Sequence, residues 1–250
     1  MLDHVYLSPH LDDAIYSCGG LIALQSAAGE RVSVLTIFSG DPPTELQSGL
    51  IDELHARWQA GEAPVETRRE EDRKACDLLG AQAQHLSYPD AVYRADDLGA
   101  ARYATPSSIF GSLHPEEQNL VRELASDLQM AIDPGSAIIA PLGIGGHVDH
   151  RLVRLAAEHL ESALIYYADF PYIHQFGLAS APDLPIPPVR TILEHQTWQV
   201  ERWAAAIATY RSQLSTFWLD QSGIRADLDD YLSAWGGLPL WRKLQESAAS

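Results

Sequence analysis

The stretch VYLSPHLDDAIYSCGG, residues 5–20, ends an apolar run at Pro9 and follows it at once with His10, Asp12 and Asp13. An imidazole and two adjacent carboxylates are donor types that hold a divalent ion and move protons beside it. If a helix starts at Leu11 to Asp13, His10 and Asp13 lie three apart across its first turn and can face one ion. Asp12 then faces elsewhere on the rim. Carboxylates also sit favourably at the positive end of a helix. Taken alone, the cluster reads more readily as a helix cap beside a polar loop histidine.

A second stretch repeats the design. In PLGIGGHVDHRLV, residues 141–153, another apolar run stops at a proline, and glycines let the backbone approach a ligand closely. His147, Asp149 and His150 follow. Two histidines and a carboxylate with one position left open are a hydrolytic zinc arrangement, and His10, Asp13 and His150 supply it. Asp12 is then placed to take a proton from the attacking water. His147 is placed to steady the oxyanion or to protonate the leaving amine, and Asp149 to orient His147. Each cluster alone could be a helix start with incidental histidines, but two at strand ends in one chain are much harder to explain that way.

The positions of these clusters follow from the elements around them. HVYLS, RVSVLTIFSG, QHLSYPD and SAIIAPLG read as strands. AIYSCGGLIALQSAAGE, ETRREEDRKACDLLGA and EEQNLVRELASDLQMAI read as helices, the first two ended by Gly29 and Gly80. VDHRLVRLAAEHLESA, LIYYADFPYI, TILEHQTWQV and ERWAAAIATYRSQLSTFW continue the alternation. Strand and helix in succession favour a parallel sheet covered on both faces, with ligands beyond the carboxyl ends of its strands. Residues 41–64, rich in turn-forming prolines, read as an excursion over the mouth of the site.

Composition sets the class. A chain of 250 residues with 46% hydrophobic content suits one α/β domain spanning residues 1–250. A net charge of −17 argues against a nucleic-acid backbone or an anionic membrane surface as partner. Cys18 and Cys76 form no CxxC pair and read as small buried residues. The N-terminus shows no signal-peptide pattern, and no run is long enough to span a bilayer, so the expected location is cytoplasmic.

PHLDD together with GGHVDH resembles the signature of the PIG-L/LmbE-like family of metal-dependent de-N-acetylases. RREEDRKACDLLGA is similar to a family helix with an Arg-x-x-Glu pattern, and SYPDAVYR to a family segment whose aspartate holds a sugar hydroxyl. YADFPY and AAAIATYRSQL are similar to late family segments, so the likeness runs over most of residues 4–215. The resemblance implies a Rossmann-like, mostly parallel sheet with helices on both faces. It implies a zinc ion, or another divalent metal such as Fe2+, and removal of acetyl from an N-acetylglucosamine-type sugar or glycoconjugate. Carried over by motif, the metal ligands are His10, Asp13 and His150, the base is Asp12, and His147 is the oxyanion or acid residue. Arg68 and Asp90 bind substrate.

Two departures stand out. Ala14 follows the paired aspartates where many members have glutamate. Gly145 stands where the mycothiol-pathway deacetylases have a tyrosine, so oxyanion stabilisation is expected to rest on His147 and the metal alone unless Tyr93 or Tyr172 moves in.

Other features have plainer readings. The late tryptophans, Trp198, Trp203, Trp218, Trp235 and Trp241, could form a sugar platform. Val200, Trp203, Ile207, Tyr210 and Leu214 share one helical stripe, however, which favours core or subunit interface. His4, His55, His85, His114, His159, His174 and His195 lie outside both motifs and read as surface or structural. REEDRKACD reads as a solvated helix face with pairs such as Glu70 and Lys74. The expected partner is a small amino-sugar substrate, with homo-oligomerisation open. The alternatives are an amidase acting on another acyl-amine and a non-catalytic sugar-binding module. A dinucleotide site is excluded because residues 9–14 contain no glycine and would set carboxylates against a pyrophosphate.

Overall fold

The computed structural model describes residues 3–59, 61, 63–160, 162, 164–180, 189–193, 197–218 and 220–242. The chain opens with β1 (Asp3–Ser8), α1 (Asp13–Ala27) and β2 (Arg31–Thr36), continues through α2 (Gly49–Trp58) and α3 (Pro64–Leu79), and reaches β3 (Gln82–His85). After a single 3-10 turn at Ala91–Tyr93 come α4 (Pro106–Ile109), α5 (Gln118–Ala131), β4 (Ala137–Pro141), α6 (Val148–Ala157) and β5 (Leu164–Tyr167). The remainder is α7 (Tyr172–Phe176), β6 (Val189–Leu193), α8 (Thr197–Ile207), α9 (Arg211–Leu214), α10 (Gln221–Trp235) and β7 (Leu238–Arg242). His195 lies outside the described residues.

The seven strands lie in the order β3-β2-β1-β4-β5-β7-β6. β3 through β5 are parallel, as the sequence implies, whereas β7 and β6 join antiparallel at the β5 edge. β1 pairs with β2 on one side and β4 on the other, so strand order reverses between β1 and β4. In an open α/β sheet this crevice is where a ligand sits. The two motifs leave the carboxyl ends of these two strands.

The glycines of the opening stretch have a packing role. A Cβ on Gly19 would lie 2.3 Å from Trp203 Cδ1, so only glycine lets α8 approach α1 this closely. Trp203 is fully buried there and donates its indole N–H to the Ile15 carbonyl at 2.7 Å. Val200 and Ile207 of α8 are buried with it, as are Trp218, Trp241, Cys18 and Cys76. The expected stripe does not run along one helix: α8 ends at Ile207, the buried Tyr210 precedes α9, and Leu214 in α9 is only partly buried. Trp198 instead is partly exposed.

Candidate active site

Asp12 occupies the N-cap position of α1, yet its carboxylate makes no capping bond. Its Oδ2 lies 3.7 Å from Arg68 Nη2, and the Arg68 guanidinium lies over the Trp58 ring at 4.7 Å. The helix-cap reading of Asp12 is therefore not what the fold uses. Burial and the adjoining Asp13 carboxylate push Asp12 up to about 7, against the pull of Arg68.

Asp13 turns the other way. Its Oδ2 accepts the His10 backbone N–H at 2.8 Å and lies 3.0 Å from His10 Nδ1 and 3.2 Å from His150 Nε2. Donors on one tetrahedral zinc stand roughly 3.3 Å apart, given bonds of about 2.0–2.2 Å. These separations fit. The far nitrogen of each ring is bound by another carboxylate: His10 Nε2 by Asp149 at 3.0 Å, and His150 Nδ1 by Asp169 at 2.6 Å. This is how ligand histidines are oriented, the outer carboxylate fixing both tautomer and ring angle. His150 Nε2 is buried and has no hydrogen-bond partner among the described residues, its contact with Asp13 being out of line for one. An orphaned imidazole nitrogen facing a carboxylate fits a divalent ion. His147 also lies within reach, since one ring nitrogen from each of His10, His147 and His150 falls within 4.8 Å of the others.

Asp149 does not turn its carboxylate to His147, as the sequence reading has it. That carboxylate binds His10, accepts the Ala91 N–H at 2.9 Å and pairs with Arg94 at 2.6 Å. His147 is reached instead by the Asp149 backbone N–H, donated to its Nδ1 at 3.2 Å. Nδ1 is thereby an acceptor, so the ring's proton sits on Nε2. Burial and the neighbouring His10 hold His147 well below the usual histidine range, so the ring is neutral.

Asp90 caps the 3-10 turn through the Val92 N–H and places Oδ2 3.6 Å from His10 Nε2. Arg68 and Asp90 both line the pocket that opens on Asp12, Asp13 and His147. The excursion predicted over the mouth is there: Leu50, Leu54 and Trp58 of α2 line that pocket. Gly145, at φ +87°, would set a Cβ 3.1 Å from the Phe176 ring and 3.4 Å from Tyr172 Cβ, so α7 leaves little room for a side chain at this position. Of the two tyrosines named for it, Tyr172 lines the pocket, whereas the Tyr93 hydroxyl is bonded to His55 at 2.7 Å.

Sequence reasoning missed Arg94, Asp169 and Gln213. Asp169 carried a legible signal, since YADF is a third apolar strand run leading into an acid. The acidic face of α3 also needs correction. Glu70 does pair with Lys74 at 3.7 Å, but Glu71 and Asp72 are buried, not solvated. They hold Ser212, Tyr210 and His85 through bonds of 2.6–2.8 Å.

Residues 5–160 match the family model described as GlcNAc-PI de-N-acetylase, PIG-L. The chain belongs to this family. A 2'-N-acetylparomamine deacetylase from Niallia circulans is 31% identical over 188 residues, which is 68% of each chain. The teicoplanin deacetylase Orf2, in its zinc-inhibited form, superposes with a TM-score of 0.84 at 25% identity, over 99% of this chain and 100% of that one. The A40926 pseudoaglycone deacetylase Dbv21 gives a TM-score of 0.79 at 25% identity, over 98% of both. The PIG-L match ends within the turn after α6, so it takes in both motifs, while the structural likeness extends over β5 and the later helices.

Proposed function

We propose that the protein is a divalent-metal-dependent hydrolase that removes the acetyl group from an N-acetylglucosamine-type amino sugar or glycoconjugate. The observation that carries this reading is the convergence of His10 Nδ1, Asp13 Oδ2 and His150 Nε2, with Asp149 and Asp169 behind the two rings. These three residues would hold a divalent ion, zinc or another such as Fe2+, which would supply Lewis acidity to the hydrolysis. Asp12, buried and beside that cluster without belonging to it, takes the proton of the attacking water. Neutral His147 offers its Nε2–H to the oxygen on which negative charge develops, which favours the oxyanion role over that of acid. Asp12 then returns its proton to the departing nitrogen, so the C–N bond breaks to give a free amine and acetic acid, whose remaining proton is lost to solvent or to the amine. Arg68 and Asp90 hold the sugar on the pocket wall.

The deacetylase activities of the Niallia circulans relative and of the teicoplanin and A40926 pseudoaglycone deacetylases support this chemistry on an amino sugar. A non-catalytic sugar-binding module has no use for an Asp12 that makes no capping bond and lines one pocket with a neutral His147. Amine release from acetylated amino sugars and their conjugates tests the reading. Metal-depleted protein should be inactive and regain activity with about one equivalent of zinc or iron(II). Equal amine release with and without metal overturns the metal dependence, and no release from any such substrate overturns the activity.

A further inference from the structure

Beyond the metal cluster, one buried chain of hydrogen bonds ends on the pocket wall. Arg68 and Glu71 lie one turn apart on α3, and Arg68 lines the pocket. Glu71 Oε1 accepts the Ser212 backbone N–H at 3.1 Å, and its Oε2 accepts the Ser212 hydroxyl at 2.6 Å. One residue further on α3, Asp72 accepts the Tyr210 hydroxyl at 2.6 Å. Two adjacent acids of α3 thus clamp the turn that begins α9, and Gln213, buried in that turn, lines the same pocket as Asp12 and Arg68.

The clamp decides which end of the Gln213 amide faces the pocket. A serine hydroxyl has one proton, and that of Ser212 goes to Glu71. Toward Gln213 the same oxygen can only accept, so it must meet the amide nitrogen, which lies 3.1 Å away. Oε1 is left with no partner among the described residues. That oxygen is not among the buried atoms left without a partner, so it is open at the pocket that Gln213 lines, where a ligand hydroxyl can reach it. We infer that Gln213 is a substrate-positioning residue whose Oε1 accepts a hydroxyl of the sugar, and that Glu71, through Ser212, fixes the amide in that sense. The inference rests on the reading of the pocket as an amino-sugar site.

Steady-state kinetics on an accepted N-acetylglucosamine-type substrate tests it, with Gln213→Met to keep side-chain volume while removing the acceptor. One neutral hydrogen bond is worth roughly 3- to 10-fold in binding, so KM should rise by about that factor while kcat stays within about twofold. Ser212→Ala, which leaves the Gln213 side chain in place but frees the amide to rotate, should raise KM in the same direction by less. The double variant should be no worse than Gln213→Met alone, because both changes act through one contact. If Gln213→Met lowers the melting temperature, Ser212→Ala carries the test. A parent enzyme with turnover whose KM changes less than twofold in Gln213→Met, or strict additivity of the two variants, overturns this inference alone. A parent that releases no amine from any acetylated amino sugar overturns the proposed function, and this inference with it.

Discussion

Asp169 grips His150 from behind, its Oδ1 2.6 Å from the ring Nδ1, while its Oδ2 accepts the Ile144 backbone N–H at 2.8 Å. One carboxylate therefore ties a proposed metal ligand to the glycine-bearing loop that leads into α6. An asparagine there can present its oxygen to one of these donors only, and must turn its own NH2 against the other. Asp169→Asn should consequently weaken metal affinity about 10- to 100-fold, the usual effect of losing such an outer partner. Competition against a chelating indicator measures this. An unchanged affinity would show that His150 needs no support from Asp169.

Asp12 and Asp13 separate by substitution. Since Asp12 makes no cap bond, Asp12→Asn should leave the melting temperature and metal content near those of the parent. It should lower kcat by about 10² to 10⁴, the range that removal of a general base commonly costs. Asp13→Ala should lose the metal first and the activity as a result. Near-parental turnover in fully metallated Asp12→Asn would remove the base from the mechanism.

The contact between α1 and α8 gives a prediction about stability alone. Gly19→Ala drives a methyl into Trp203, whose indole is pinned to the Ile15 carbonyl and has little room to retreat. Overpacking of this kind costs about 1–3 kcal/mol. For a chain of this size the melting temperature should fall by roughly 2–12 °C. Metal stoichiometry should not change, because Gly19 lies beyond the first turn of α1, and of the proposed ligands that helix carries only Asp13. A melt indistinguishable from the parent would mean that the helices can part without loss.

Much of this was legible because the chemistry is local. His10, Asp12 and Asp13 fall within four consecutive residues at the end of one strand, and His147, Asp149 and His150 within four at another. The parallel pairing of β1 with β4 then puts both clusters at the carboxyl ends of two neighbouring central strands. What was not legible depends on pairing across the chain. Arg94 meets Asp149 and Glu117 from 55 and 23 residues away, and nothing in the local pattern of SYPDAVYR marks it as buried. Glu71 and Asp72 look like part of a solvated charged face until Tyr210 and Ser212 arrive from 138 and 141 residues along. The antiparallel pair β6 and β7 was hidden for the same reason, since strand direction at an edge is set by where the chain returns rather than by periodicity.

Arg94 is the long-range residue with the most to lose. It is buried between the rings of Phe38 and Tyr103, 5.1 and 5.3 Å from their centroids. Its Nε donates to Glu117 at 2.6 Å, and its Nη1 lies 2.6 Å from Asp149. Arg94→Met removes one cation from two buried carboxylates, and breaking such a set typically costs about 3–5 kcal/mol. Stability and metal binding then part company in a second variant. Adding Glu117→Gln relieves one of the stranded charges, so part of the lost melting temperature should return. Asp149 still lacks its cation, and the hold it keeps on His10 should remain disturbed, so metal affinity should stay low. Melting curves and metal competition on the two variants together decide the matter. Recovery of metal affinity in step with stability would mean that Arg94 serves the fold and not the metal site.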